Sequence, residues 1–155
     1  MRDVEGSFDV RSRPAEILLV EDDSEDALLM RRALERSKLL LKMTRVMDGE
    51  EAMALLRRER EYAEAARPDL VLLDLNMPKM SGYEVLTQIR ANPALSTLPV
   101  VILTTSRAEE DVVRGYALRA NAYVGKPVGL SGFTQVLEAI EGFWFTVAIM
   151  PAPGH

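Results

Sequence analysis

A few places in the chain carry residue types able to do chemistry, and each follows an apolar run. Glu21 and Asp22 follow ILLV (17–20), Asp74 follows LVLL (70–73), Thr104 closes PVVILT (99–104), and Lys126 follows AYVG (122–125). The chain has no cysteine, which removes disulfides, thiolate metal sites and cysteine nucleophiles together. Its one histidine is His155, the last residue, so a histidine metal site or a histidine acid–base pair is not expected. Chemistry here must run on carboxylates, hydroxyls and lysine. Carboxylates held close together repel and raise one another's pKa, a cost that a hard cation relieves. Mg²⁺ prefers oxygen ligands and keeps several waters, so one or two of the carboxylates Glu21, Asp22 and Asp74 plus a carbonyl would suffice to hold it, and the carbonyl of Asn76 is well placed if the turn after Asp74 curls back. Lys126 places a second cation on the other side of the pocket. A carboxylate between Mg²⁺ and a lysine is set up to receive a tetrahedral dianion such as a phosphoryl group, with Asp74 as the nucleophile.

Those residues converge only if the runs before them are parallel strands of one sheet. The runs are continuous rather than alternating, the pattern of strands covered on both faces. A weaker run, LKMTRV (41–46), completes a set of five. Segments of helical period lie between them. Asp23 to Ser37 sets Ala27, Met30, Ala33 and Leu34 on one face, with Asp23 as N-cap and acids in the first turn. Glu50 to Tyr62 turns Ala52, Leu55, Leu56 and Tyr62 inward. SGYEVLTQIRAN (81–92) sets Tyr83, Leu86, Ile89 and Arg90 together and stops at Asn92-Pro93. RAEEDVVRGYALRA (107–120) reads as a charged helix. GLSGFTQVLEAIEGFW (129–144) carries the stripe Phe133, Val136, Leu137, Ile140. Strand and helix alternate five times, which implies an α/β layered domain with right-handed crossovers. All strands then end at one edge, where side chains just past them face a common crevice.

Residues 1–15 read as a flexible lead, 16–145 as one domain and 146–155 as a tail. The lead is charged where a secretory signal needs an apolar core, and no run of about 18 apolar residues occurs, so the expectation is a cytoplasmic protein with no membrane partner. A net charge of -5 argues against nucleic acid as a partner. Taken singly, every candidate has a plain structural explanation: Asp74 a loop cap, Glu21-Asp22-Asp23 a helix start, Thr104 a strand residue, Lys126-Pro127 a turn. Their joint placement at four strand ends favours a site.

The segments ILLVEDD, LVLLDLNMPKMSGYEVL, PVVILTTS and ANAYVGKP together resemble the receiver domain of two-component response regulators, from Ile17 to Phe143. The resemblance implies a flavodoxin-like, doubly wound, five-stranded parallel sheet of order 2-1-3-4-5 with five flanking helices. It implies that Asp74 accepts a phosphoryl group from a phosphohistidine on a sensor histidine kinase. Glu21, Asp22, Asp74 and the Asn76 carbonyl match the Mg²⁺ site, Thr104 the switch hydroxyl, Tyr123 the switch aromatic and Lys126 the phosphoryl-binding lysine. Lys126-Pro127 matches a peptide bond that is usually cis in the family. REREYAEAARPDL, NPALSTLPVV and IEGFWFTVAIMP resemble the single-domain regulators paired with phytochrome-type kinases. That subgroup implies a homodimer through the fourth helix, fifth strand and fifth helix, with Phe143, Trp144 and Phe145 nearby. Thr105 and Arg119 depart from the family pattern, which usually has a smaller residue and a glycine there. The activity implied is that of a switch, with self-catalysed phosphorylation and dephosphorylation, rather than of a classical enzyme. A haloacid-dehalogenase-type phosphatase would need a second aspartate where Asn76 stands. An FMN-binding flavodoxin would need a hydroxyl- and glycine-rich loop where EDDSEDA stands. A receiver-like interaction module that works without phosphorylation stays open.

Overall fold

The computed structural model describes residues 14–36, 41–75, 77, 79–104, 122–125, 129, 132–135, 137, 138 and 142. In chain order the elements are β1 (Ala15–Val20), α1 (Ser24–Glu35), β2 (Leu41–Val46), α2 (Gly49–Leu56), a 3-10 turn (Arg60–Tyr62), β3 (Leu70–Asp74), α3 (Gly82–Ala91), β4 (Val100–Thr104) and β5 (Ala122–Gly125). The five strands form one sheet in the order β2-β1-β3-β4-β5, and every pairing is parallel. This is the expected flavodoxin-like order. The helix expected over 107–120 lies outside the described residues.

The continuous apolar runs are explained by two cores, one on each face of the sheet. Leu18 and Val20 of β1, Val71 and Leu73 of β3, and Val100 and Ile102 of β4 pack with Ala52, Leu55 and Leu56 of α2 and Val85, Leu86 and Ile89 of α3. The alternate residues, Ile17, Leu19, Leu70, Leu72, Val101 and Leu103, pack with Ala27, Met30 and Ala33 of α1 and with Phe133 and Leu137. Side chains along a strand alternate between faces, so a strand covered twice must be apolar at every position. Phe133 and Leu137 are one helical turn apart, as the expected stripe requires.

Local detail refines the elements. β1 starts at Ala15, opposite Leu41, two residues before the apolar run. The buried face of α3 is Val85, Leu86 and Ile89; Val85 replaces Arg90, whose guanidinium instead donates to the carbonyls of Ser96 and Leu98. α3 opens on a reciprocal cap between Ser81 and Glu84 and ends at Asn92, extended as a residue before proline must be. The helix expected over 50–62 stops at Leu56. Arg58 takes a left-handed conformation (φ 57°), its N–H donates to Leu55 O (3.0 Å), and the Glu59 N–H donates to Ala54 O (2.9 Å). That bond pair is the Schellman ending, here built on an arginine rather than a glycine. The chain then turns so that Tyr62 packs on the core and its hydroxyl donates to Glu51 Oε2 (2.5 Å). Burial and the Glu51 carboxylate push the Tyr62 phenol up to about 12.

Candidate functional site

Strand register brings the acids level. Val20 is opposite both Val46 and Leu73, so Glu21, one residue beyond β1, stands beside Asp74 at the end of β3. The Glu21 N–H continues the ladder by donating to Val46 O (3.0 Å). Asp74 is opposite Leu103, which puts Thr104 at the same edge, and Thr104 is opposite Gly125, the residue before Lys126. The ends of β1, β3 and β4 therefore bring Glu21, Asp74 and Thr104 to one edge.

The carboxylates of Glu21, Asp22 and Asp74 each offer an oxygen within 4.8 Å of the other two. Glu21 and Asp74 are 2% and 6% exposed, while Asp22 faces solvent. Oxygens around one hard cation sit about 2.0–2.6 Å from it, so they span at most about twice that distance, and this cluster is of that size. Two buried carboxylates in contact with a third are costly without a positive charge among them. The donor set, all oxygen and no sulfur or nitrogen, suits Mg²⁺ or a similar hard ion.

The backbone around the cluster is anchored from several sides. Glu21 Oε2 accepts from the Asp23 N–H (3.1 Å), and Asp23 Oδ1 caps α1 by accepting from the N–H groups of Glu25 (2.9 Å) and Asp26 (3.1 Å). Arg45 of β2 donates from Nε to the carbonyl of Glu21 (2.9 Å) and from Nη2 to that of Asp22 (3.2 Å). Beyond Asp74, the Gly82 N–H donates to Leu75 O (3.0 Å). A β-carbon on Gly82 would lie 2.4 Å from Asp74 O, so only glycine lets α3 start this close to the end of β3. A β-carbon on Gly49 would lie 2.6 Å from Met80 O, and Lys79 Nζ lies 3.5 Å from Asp48 Oδ2, which ties the segment after β3 to the start of α2.

Of the residues singled out from sequence, Glu21, Asp22 and Asp74 come together. Thr104 ends β4 and Tyr123 lies in β5 opposite Ile102. Asn76, Thr105, Arg119, Lys126, the Lys126-Pro127 bond and Phe143, Trp144 and Phe145 lie outside the described residues. Arg45, Gly49 and Gly82 were not anticipated. Gly82 had a signal: glycine inside a helix costs about 1 kcal/mol against alanine, so its presence one residue after a good cap points to a close approach. Arg45 had none, since one cation in a mixed strand reads as a solvated side chain.

A family model, the response regulator receiver domain, matches residues 17–138. The chain belongs to that family. Response regulator Rcp1 of Synechocystis sp. is 42% identical over 144 residues, covering 93% of this chain and 98% of the relative. Among solved structures, the phosphorylated cyanobacterial phytochrome response regulator RcpA is 46% identical with a TM-score of 0.83, over 90% of this receiver domain chain and 100% of that one. The Mn²⁺-bound form of Rcp1 is 42% identical with a TM-score of 0.81 over the same shares. Among the described residues of this receiver domain, no helix is long and apolar enough to cross a membrane.

Proposed function

We propose that this response regulator accepts a phosphoryl group on Asp74 from a sensor histidine kinase of the phytochrome type, in a reaction that needs Mg²⁺. The observation that carries the reading is the oxygen cluster of Glu21, Asp22 and Asp74 at the strand ends, with Asp74 at the tip of β3. Two relatives support it by what they hold: Rcp1 binds Mn²⁺ in one solved form, and RcpA is phosphorylated in another. RcpA and a bacteriophytochrome response regulator, RtBRR, 44% identical, support the class of kinase.

An oxygen of Asp74 attacks phosphorus in line with the donor nitrogen. The P–N bond breaks, its electron pair stays on the imidazole, and an acyl phosphate forms on Asp74. Glu21, Asp22, Asp74 and the Asn76 carbonyl would hold a divalent cation, which when bound would neutralise charge on the transferring oxygens. Lys126 takes the remaining charge. The Thr104 hydroxyl then donates to a phosphoryl oxygen, and Tyr123 turns into the space so released. β4 and β5 are neighbours, so this motion passes into the surface of β5 and the helices expected on either side of it.

The test is intact mass after incubation with acetyl phosphate, with and without Mg²⁺, on wild type and Asp74→Asn. One added phosphoryl group in wild type, only with Mg²⁺, is expected. Labelling of Asp74→Asn at the wild-type rate would refute the acceptor. Failure of wild type to label from either acetyl phosphate or a cognate kinase would leave an interaction module that works without phosphorylation.

A further inference from the structure

The fork that Arg45 makes with two consecutive carbonyls is not used by the phosphoryl chemistry. Its Nε–H and Nη2–H point to the oxygens of Glu21 (2.9 Å) and Asp22 (3.2 Å). Those two carbonyls bracket the Cα of Asp22. Holding both peptide planes fixes the direction in which the Asp22 side chain leaves the backbone. Of the three clustered acids, Asp22 is the exposed one, so packing does the least to hold it. Arg45 itself is half-buried on the edge strand β2, on the same face as buried Met43. A guanidinium suits this task because its fork is planar and rigid, whereas a lysine ammonium donates as a point charge from a flexible stem.

We infer that Arg45 is a positioning residue for the divalent cation, fixing the Asp22 backbone so that its carboxylate meets a Mg²⁺-sized ion. The inference rests on the metal site proposed above. Charge and geometry act in opposite senses here. A cation near the site repels Mg²⁺, so charge alone predicts tighter binding when Arg45 is neutralised. Positioning predicts weaker binding, and it predicts it even when the charge is kept. It also predicts a change in selectivity. Mg²⁺ demands near-ideal octahedral geometry at about 2.0–2.1 Å, while Ca²⁺ accepts irregular shells at about 2.3–2.6 Å. A loosened carboxylate therefore harms Mg²⁺ binding more.

The experiment is calorimetric titration of Mg²⁺ and Ca²⁺ into the full chain as wild type, Arg45→Lys, Arg45→Met and Asp22→Asn, with circular dichroism melts to verify folding. Arg45→Lys and Arg45→Met are both expected to lose about tenfold in Mg²⁺ affinity, the low end for residues that orient metal ligands, with a smaller loss for Ca²⁺. If Arg45→Met does not fold, Arg45→Lys carries the test. Unchanged Mg²⁺ affinity in Arg45→Lys, tighter binding in Arg45→Met, or equal losses for both cations would each overturn the role of Arg45 while leaving the metal site standing. A wild type that binds no Mg²⁺, or binds it no better than Asp22→Asn, would overturn the site and the inference with it.

Discussion

Gly82→Ala tests how closely α3 is set against the end of β3 at Asp74. The new β-carbon would stand 2.4 Å from Asp74 O, 2.8 Å from Leu75 Cα and 3.1 Å from Asp74 C. All three are backbone atoms, so no side-chain rotation can relieve the contact. Reaching an ordinary separation of about 3.4–3.5 Å moves one partner by about 1 Å. Overpacking costs about 1–3 kcal/mol, here the upper part of that range, about 2–3 kcal/mol, because only backbone can give way; the better helix propensity of alanine returns about 1 kcal/mol. The net loss expected is about 1–2 kcal/mol, or a fall in Tm of about 3–6 °C for a chain of this length. If the strand tip yields rather than the helix, Asp74 shifts with it, and a misplacement of about 1 Å at a reacting group can cost about 100-fold in rate. Urea denaturation gives the stability, and the initial rate of labelling by acetyl phosphate gives the second number. Gly142→Ala is the control, because a β-carbon there meets nothing within 4 Å. A Gly82→Ala protein as stable as wild type and labelled within about twofold of its rate would refute the argument that this glycine is required by the Asp74 carbonyl.

Two further perturbations probe the turn after α2. The neutral Tyr62 phenol is favoured in the folded state, with its pKa pushed up to about 12 from an ordinary value of 10.0. The folded state thus binds the proton more tightly than the unfolded chain, so this contribution is complete below pH 10 and is lost as pH rises to about 12. Tyr62→Phe should lower stability at pH 8 by about 1 kcal/mol and shrink the gap between pH 8 and pH 11.5; an unchanged gap by urea denaturation would count against the Tyr62–Glu51 bond. Arg58 holds a left-handed conformation that costs a residue with a β-carbon about 1 kcal/mol. Arg58→Gly is expected to raise stability by about 0.5 kcal/mol after the added freedom of the unfolded chain is counted, and a clear loss by the same assay would mean that the arginine side chain contributes more than its backbone strain costs.

The sequence by itself determined the sheet and the acids. Runs such as ILLV and LVLL are apolar at every position, which only a doubly covered strand tolerates, and an acid directly after such a run can sit only at the strand's end. Parallel order then brings Glu21, Asp22 and Asp74 to one edge, where each offers a carboxylate oxygen within 4.8 Å of the other two. Sequence period could not determine where α2 ends. The residues after Leu56 are Arg57, Arg58, Glu59 and Arg60, all compatible with helix and with no glycine or proline to stop it. The break at Arg58 is decided by Tyr62, whose ring packs part-buried on the core and bonds Glu51 only if the chain turns back. The close fits of Gly82 against Asp74 and of Gly49 against Met80 were likewise settled by tertiary packing, because each depends on the separation of two elements apart in the chain. The same holds for Arg45, a residue of the edge strand whose two donors find their acceptors just beyond β1 only once β2 lies alongside in register.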